Sequence, residues 1–246
     1  MTTQADPSNL PPTPCAIILA GGLGSRLREA VSDRPKVLAE VAGRPFIEYL
    51  LDQVADAGIH HAVLCVGYLA EQVEAHLGST YRGVQLSYSR ERALLGTGGA
   101  LRYALPLTRS DTLLVMNGDS FLDADLPTFR AQHEAAGARV SLLLAPVDDT
   151  GRYGRVNTDG LNHVTSFDEK GAVRGPGWVN AGIYLIDREL LKSIPNGRNC
   201  SLEKEIFPEW IGPGFFGFKS TASTFIDIGT PTSLREAQSI FAASIG

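Results

Sequence analysis

The sequence has 246 residues, of which 43% are hydrophobic and 20% charged, so it is long enough for one large α/β domain with a buried core. Its net charge of −5 argues against a nucleic-acid partner, because nucleic-acid-binding domains usually carry a basic surface. No apolar run approaches the ~20 residues of a membrane span, so no membrane partner is expected either.

The first 14 residues, MTTQADPSNLPPTP, are rich in Pro and Thr and are predicted to form a disordered tail. They lack the basic and apolar regions of a signal peptide. The three cysteines are Cys15, Cys65 and Cys200, and no C-x-x-C motif occurs. Because the count is odd and Cys15 and Cys65 lie in apolar runs, we expect buried free thiols and a cytoplasmic protein.

Strands and helices alternate over the first part of the chain, which predicts a parallel sheet covered by helices on both faces. The predicted elements are a strand at 15–20, a helix at 45–57, a strand at 61–66, a helix at 69–77, a strand at 84–88, a helix opening at 98–99 and continuing to 104, a strand at 111–116, a helix at 127–136 and a strand at 138–145.

The pattern changes after this alternating part. Short strands, turns and several glycines occupy 153–187, which predicts a small β-rich lobe inserted over the sheet edge. A helix at 203–211, strands at 215–219 and 224–227 and a closing helix that begins at Pro231 complete a single domain over 15–246.

The first strand runs directly into Gly21-Gly22-Leu23-Gly24-Ser25-Arg26. A strand that breaks into a glycine turn and then a helix offers backbone N–H groups to phosphate. A P-loop is excluded because no lysine follows these glycines directly. A dinucleotide fingerprint starting at Gly22 is excluded because its last position is Leu27, whose side chain would obstruct close helix–strand packing.

Two acidic residues follow apolar strands. Asp119 ends the run Asn117-Gly118-Asp119, and Asp227 precedes Gly-Thr-Pro at the start of the last helix. Each could be a turn or helix-cap residue. The carboxyl ends of strands in an open parallel sheet are also where ligands bind, and a carboxylate beside triphosphate oxygens is a suitable Mg²⁺ ligand.

The string from Gly21 to Leu27, with Pro35-Lys36 further on, resembles the sugar-1-phosphate nucleotidyltransferase family, and the resemblance extends to about Ala242. It implies a Rossmann-like, mostly parallel but mixed sheet flanked by helices, with a small β-rich sugar-binding lobe, as in GT-A-like folds. It also implies that 15–145 mainly bind the nucleotide, that 146–225 mainly bind the sugar, and that 226–246 hold a metal aspartate and the closing helix.

The resemblance also implies roles for individual residues. Arg26 would hold the β- and γ-phosphates, Lys36 the α-phosphate and the incoming sugar phosphate, and Asp119 and Asp227 would hold Mg²⁺. The implied nucleotide-binding residues are Leu19, Ala20, Gly21, Gly22, Gly24, Ser25, Glu91, Gly96, Thr97, Asn117 and Gly118.

Glu91 is the implied contact to the base. A carboxylate accepts hydrogen bonds and donates none, so it suits the adjacent N1–H and 2-amino group of guanine and would repel the carbonyls of uracil or thymine. We therefore favour GTP. An exposed glutamate that only neighbours Arg90 and Arg92 is the alternative.

On the sugar side, the resemblance implies roles for Gly154, Glu169, Asn180 and Glu203 in binding hydroxyl groups and for Lys170 in binding the sugar's phosphate. A glycine backbone, carboxylates and an amide provide the donors and acceptors that vicinal hydroxyls need. Two positions depart from the family pattern, because Gly171 follows Glu-Lys where Pro is common, and Leu94 stands where Pro commonly precedes Leu-Gly-Thr.

The implied substrates are GTP and a sugar 1-phosphate, and the products are a GDP-sugar and pyrophosphate. The runs VGYLAE, LGTGGALRYA and NGDSFLD most resemble the branch that acts on D-glycero-α-D-manno-heptose 1-phosphate, and the branch that acts on mannose 1-phosphate is the runner-up. For the heptose branch, the resemblance implies a role in bacterial surface polysaccharide or S-layer glycan assembly. Two alternative functions stay open: a UDP- or dTDP-sugar pyrophosphorylase, and a non-catalytic regulatory member that binds a nucleotide sugar. The oligomeric state is open as well, with a homodimer among the candidates.

Overall fold

The computed structural model describes residues 14–22, 34–91, 93–222 and 224–245. The strands are β1 (Cys15–Leu19), β2 (Glu40–Val41), β3 (Arg44–Pro45), β4 (His61–Val66), β5 (Thr80–Tyr81), β6 (Val84–Arg90), β7 (Thr112–Asn117), β8 (Ser120–Leu122), β9 (Val140–Val147), β10 (Val156–Thr158), β11 (Val164–Phe167), β12 (Gly177–Asp187), β13 (Phe215–Lys219) and β14 (Phe225–Asp227). The helices are α1 (Phe46–Asp56), α2 (Ala70–Leu77), α3 (Gly96–Ala104), α4 (Leu126–Ala135), α5 (Arg188–Ser193), α6 (Phe207–Trp210) and α7 (Pro231–Ile245).

Eight of these strands form one sheet in the order β13-β9-β12-β7-β1-β4-β6-β5. β7, β1, β4 and β6 pair in parallel, as do β13 and β9, whereas β12 and β5 run antiparallel to their neighbours. The predicted fold class, a mostly parallel mixed sheet flanked by helices, is confirmed.

The structure differs from the sequence-based expectation at β12. This 11-residue strand lies in the middle of the sheet, between β7 and β9, and not in a lobe over its edge. Its register with β9 shifts between Asn180 and Tyr184, so a bulge absorbs the residues that interrupt its apolar pattern. Of the expected lobe, the β10–β11 hairpin remains outside the sheet, with His163 bridging to Phe216 of β13.

Buried side chains fill both faces of the sheet. Ile17 and Ile18 of β1 are both fully buried, and they belong to different hydrophobic clusters because successive side chains of a strand point to opposite faces. Residues of α1, α2, α4 and α7 pack on the Ile18 face, and residues of α3, α5 and α6 pack on the Ile17 face. This double cover explains the continuous apolar runs of the sequence.

The cysteines are buried free thiols, as predicted. Burial raises the pKa of Cys15 to about 12, so that thiol stays protonated.

Two helix starts follow from local chemistry. The Asp125 carboxylate accepts a hydrogen bond from the Thr128 N–H at the start of α4, and the Thr230 hydroxyl accepts from the Ser233 N–H at the start of α7. Among the described residues, no helix combines the length and the hydropathy needed to cross a membrane.

Candidate active site

A cleft of about 300 Å³ opens at the carboxyl ends of β1 and β7. The carboxyl edge of a parallel sheet is the expected place for a ligand site. The residues that line the cleft are Leu19, Ala20, Gly21, Gly22, Lys36, Val37, Glu91, Leu94, Gly96, Thr97, Ala100, Asn117, Gly118, Asp119 and Glu203. The predicted nucleotide-binding residues thus lie together here, except Gly24 and Ser25, which with Arg26 are outside the described residues.

Close backbone contacts shape the floor of the cleft. The Gly118 N–H donates to the Leu19 carbonyl at 3.0 Å, and the Ala20 N–H donates to the Cys65 carbonyl at 2.8 Å. A Cβ atom at Gly118 would lie 2.5 Å from the Leu19 oxygen, so only glycine allows this approach. The end of β7 therefore packs directly against the end of β1.

Glu91 lies against the glycine turn. Its Oε2 accepts a hydrogen bond from the Leu95 N–H at 3.1 Å, and a Cβ atom at Gly21 would lie 3.1 Å from its Oε1. Burial raises the pKa of Glu91, and the Leu95 N–H opposes that rise. Glu91 lines the cleft, whereas its neighbour Arg90 forms an ion pair with Glu74.

Lys36 and Asp119 form an ion pair inside the cleft, with 2.7 Å between Nζ and Oδ2. The Lys36 side chain is 13% exposed and that of Asp119 41% exposed, so the ammonium is the more enclosed partner. Lys36 begins a 3-10 turn after Pro35, whose ring restricts the backbone at that point. The pair places a fixed positive charge beside the strand-end carboxylate.

Strand pairing brings Asp227 next to Asp119. The region around Asp119, Asp227 and Lys36 is called the aspartate corner. β14 pairs antiparallel with β8 so that Asp227 lies opposite Ser120, and the Ile228 N–H donates to the Asp119 carbonyl at 2.9 Å. A Cβ atom at Gly229 would lie 2.5 Å from Asp227 Oδ1 and 3.5 Å from Lys36 Nζ. Asp119 lines the cleft and Asp227 lies next to it along the β8–β14 pairing, and the carboxylate oxygens of both are hard donors of the kind that fit a divalent cation.

Three glycines at the start of α3 allow a second loop to approach it. Gly96 has a φ of +68°, and a Cβ atom there would lie 2.4 Å from the Cys200 carbonyl oxygen. A Cβ atom at Gly99 would lie 2.2 Å from the carbonyl oxygen of Arg198. The Gly98 N–H donates to the Cys200 carbonyl at 2.9 Å. The glycines therefore hold the 198–203 segment against α3.

This contact brings Glu203 into the cleft. The Thr97 hydroxyl donates to Glu203 Oε2 at 2.9 Å, and the Leu202 N–H donates to the Thr97 hydroxyl oxygen at 2.7 Å. Ser201 donates to the same carboxylate at 3.1 Å. Glu203 is thus held by Ser201 and by Thr97, one of the residues predicted to bind the nucleotide.

Tyr184 is a residue of the site that the sequence reasoning did not single out. Its hydroxyl accepts from the amides of Asn117 at 3.3 Å and Asn180 at 3.0 Å, and it lies 3.4 Å from Glu203 Oε1, to which it donates. The side chain is fully buried, and burial raises its pKa well above the ordinary value, so the hydroxyl keeps its proton. The available signal was a tyrosine four residues after Asn180, within the apolar run Ile183–Ile186.

The remaining sugar-side candidates lie beyond the cleft lining in the described part of the chain. Gly154 has a φ of +85°, and a Cβ atom there would lie 2.6 Å from the Asp168 carbonyl oxygen, so it packs under the turn that carries Glu169 and Lys170. The centroids of the neighbouring Tyr153 ring and the Phe225 ring of β14 lie 5.3 Å apart, and this contact connects the loop to the strand that carries Asp227.

Comparisons with known proteins identify a family for the chain. Residues 15–244 match the family described as Nucleotidyl transferase. A D-glycero-alpha-D-manno-heptose 1-phosphate guanylyltransferase from Aneurinibacillus thermoaerophilus is 36% identical over 91% of this chain and 96% of its own length. A mannose-1-phosphate guanylyltransferase from Mycobacterium tuberculosis is 37% identical over 88% of this chain, which spans 61% of that longer protein.

Solved structures show the same fold. The crystal structure of HddC from Yersinia pseudotuberculosis complexed with GMP-PN superposes with a TM-score of 0.81 and 30% sequence identity. The match covers 93% of this chain and 100% of that one.

Proposed function

The chain belongs to the nucleotidyl transferase family, and we propose that it transfers GMP from GTP to D-glycero-α-D-manno-heptose 1-phosphate, which gives a GDP-sugar and pyrophosphate. The observation that carries the proposal is the position of the Glu91 carboxylate in the cleft, beside the glycine turn at the end of β1. The similarity to heptose 1-phosphate guanylyltransferases over nearly the whole chain supports the same conclusion.

The reaction needs no protein nucleophile. A phosphate oxygen of the sugar 1-phosphate attacks the α-phosphorus of GTP, and the bond between that phosphorus and the bridging oxygen to the β-phosphate breaks, so that pyrophosphate leaves. Lys36 would stabilise the charge on the α-phosphate and the incoming phosphate, and Arg26 would hold the leaving pyrophosphate with its planar guanidinium. Catalysis then depends on positioning and charge stabilisation.

Asp119 and Asp227 would hold Mg²⁺, for which their carboxylate oxygens are suitable ligands. When bound, the ion supplies positive charge that orients the triphosphate and offsets the charge that develops on it. The chain's own contribution is to keep the two carboxylates at one corner through the β8–β14 pairing.

For base selection, Glu91 would accept hydrogen bonds from the N1–H and 2-amino group of guanine. Its Oε2 already accepts the Leu95 N–H, but each carboxylate oxygen has a second lone pair for the base. Sugar hydroxyls would bind Asn180, Glu169, Glu203 and the Gly154 backbone, and Lys170 would bind the sugar's phosphate.

Mannose 1-phosphate is the second candidate substrate, because the mycobacterial mannose-1-phosphate guanylyltransferase is as similar in identity as the heptose enzyme. The deciding experiment measures pyrophosphate release with GTP and a panel of sugar 1-phosphates, and then with UTP, dTTP and ATP. We expect the highest kcat/KM with GTP and the heptose 1-phosphate. Preference for UTP or dTTP would overturn the role of Glu91, and preference for mannose 1-phosphate would change only the sugar.

A further inference from the structure

The ammonium group of Lys36 forms an ion pair with the Asp119 carboxylate inside the cleft. Its Nζ lies 2.7 Å from Asp119 Oδ2, and the other oxygen of that carboxylate accepts a longer contact of 3.3 Å from the Ser120 hydroxyl. The pair is partly enclosed, so water screens it less than it screens an ion pair on the surface. Among the described residues, Lys36 thus makes a shorter contact to the Asp119 carboxylate than Ser120 does.

The second carboxylate lies close to the same ammonium. Gly229 separates Asp227 Oδ1 from Lys36 Nζ, and a Cβ atom placed at Gly229 would be near both. Two carboxylates held at one corner repel each other, and a single ammonium offsets only part of that repulsion. A divalent cation would offset both charges and would use the same oxygens.

From this geometry we propose that Lys36 serves as a built-in counter-cation of the Asp119–Asp227 pair and competes with a divalent cation for Asp119. Metal binding then drives the ammonium away from Asp119 and towards the bound phosphates. This inference rests on the proposed function, because it assigns the released ammonium to the nucleotide. It predicts that Lys36 opposes metal binding in the free protein and supports it once nucleotide is bound.

The test uses Mn²⁺ as the probe and follows unbound Mn²⁺ by electron paramagnetic resonance, which needs no turnover. Lys36→Met removes the charge, and Lys36→Gln is a second neutral variant in case the first folds poorly. Lys192→Met is the matched control, because it changes the net charge equally and its exposed side chain pairs with Glu189 on α5, away from the cleft lining. Asp227→Asn tests that the ion measured is the one at the corner.

Without nucleotide, we expect either Lys36 variant to bind Mn²⁺ about tenfold more tightly than the wild type, given the strength of a partly buried unit charge at this range. The Lys192 variant should match the wild type, and adding Asp227→Asn to Lys36→Met should abolish the gain. Unchanged or weaker Mn²⁺ binding in both Lys36 variants would overturn the proposal, because Lys36 would then merely orient Asp119.

With a non-hydrolysable GTP analogue, the effect of the Lys36 substitutions on metal affinity should reverse. The Lys36 variants should then bind the metal–nucleotide complex more weakly than the wild type does. If the analogue does not bind to the wild type, the proposed guanylyltransferase function fails. The nucleotide-free measurement still decides whether Lys36 competes with the divalent cation for Asp119. A gain in Mn²⁺ affinity that persists unchanged with the bound analogue would contradict the transfer of the ammonium to phosphate.

Discussion

At the scale of single residues, the site combines two unlike carboxylates. Glu91 lies against backbone, accepts an N–H, and has a pKa raised by burial. Asp119 is more open and carries an ion pair with Lys36. The first environment suits recognition of a neutral base edge, and the second suits a cation or a phosphate-bound metal. One cleft can thus bind both ends of a nucleotide with the same kind of side chain.

Inosine triphosphate tests the base contact, because its base lacks the 2-amino group of guanine. We expect the wild type to prefer GTP over ITP by on the order of tenfold to a hundredfold in kcat/KM, the range for hydrogen bonds to a charged group. Glu91→Gln should lower activity with GTP and reduce that preference. If the ratio of kcat/KM with GTP to kcat/KM with ITP is equal in the two proteins, Glu91 does not contact the 2-amino group.

Asp119→Ala tests the metal corner. The change removes a carboxylate that lines the cleft, and turnover at saturating Mg²⁺ should be abolished while the thermal unfolding midpoint stays close to that of the wild type. Asp123→Ala is the control, since that exposed aspartate lies four residues on and outside the cleft lining. Near-normal pyrophosphate release from the Asp119 variant would refute the assignment.

At the scale of elements, the site depends on where three segments meet. β7 supplies Asn117, the bulge of β12 supplies Asn180, and the segment after Cys200 supplies Glu203. The Tyr184 hydroxyl accepts two hydrogen bonds and donates one among them, which uses its full capacity. This hydroxyl therefore links the three segments through its hydrogen bonds.

Tyr184→Phe removes that hydroxyl without changing the ring. We expect the KM for the sugar 1-phosphate to rise on the order of tenfold, with a smaller change in the KM for GTP, because Asn180 and Glu203 lose a common partner. Tyr49→Phe is the matched control, since its buried hydroxyl donates to the Val41 carbonyl away from the cleft. Both variants should lose about 1 kcal/mol of stability. Identical kinetics in the two would assign Tyr184 to stability alone.

Gly99→Ala tests the contact between α3 and the 198–203 segment. The added methyl group would lie 2.2 Å from the Arg198 carbonyl oxygen, so the segment must shift and Glu203 with it. We expect a stability loss of ~1–3 kcal/mol by denaturant unfolding, together with a higher KM for the sugar 1-phosphate. Gly160→Ala, where no atom lies within 4 Å, should be neutral in both measurements.

At the scale of the whole molecule, helices cover both faces of one sheet, and a buried histidine and a buried serine pair between a helix and a strand. His133 of α4 and Ser141 of β9 are both buried and lie 2.8 Å apart at Nδ1 and Oγ. Burial lowers the pKa of His133, although the charges of Glu134 and Asp187 oppose that effect. The folded protein therefore resists protonation at this ring more than the unfolded chain does.

The expected consequence is acid sensitivity of the fold. Above the unfolded-state pKa of histidine, the ring is neutral in both states and contributes no pH dependence. As the pH falls below that value, the unfolded chain takes up a proton that the folded ring resists, so stability decreases. Urea unfolding at pH 7.5 and 5.5 should show a larger loss for the wild type than for His133→Gln. A constant difference between the two proteins across these pH values would disprove the contribution.

The sequence alone determined the order of most helices and strands and the glycine turn, since periodicity and glycine conformation are local properties. It also placed Asp119 at a strand end. Only the tertiary structure decided that β12 lies inside the sheet, because its interrupted pattern resembles a loop until a bulge with β9 absorbs the irregularity. The Lys36–Asp119 pair and the Asn117–Tyr184 contact join residues far apart in the chain, and local patterns carry no information about such partners.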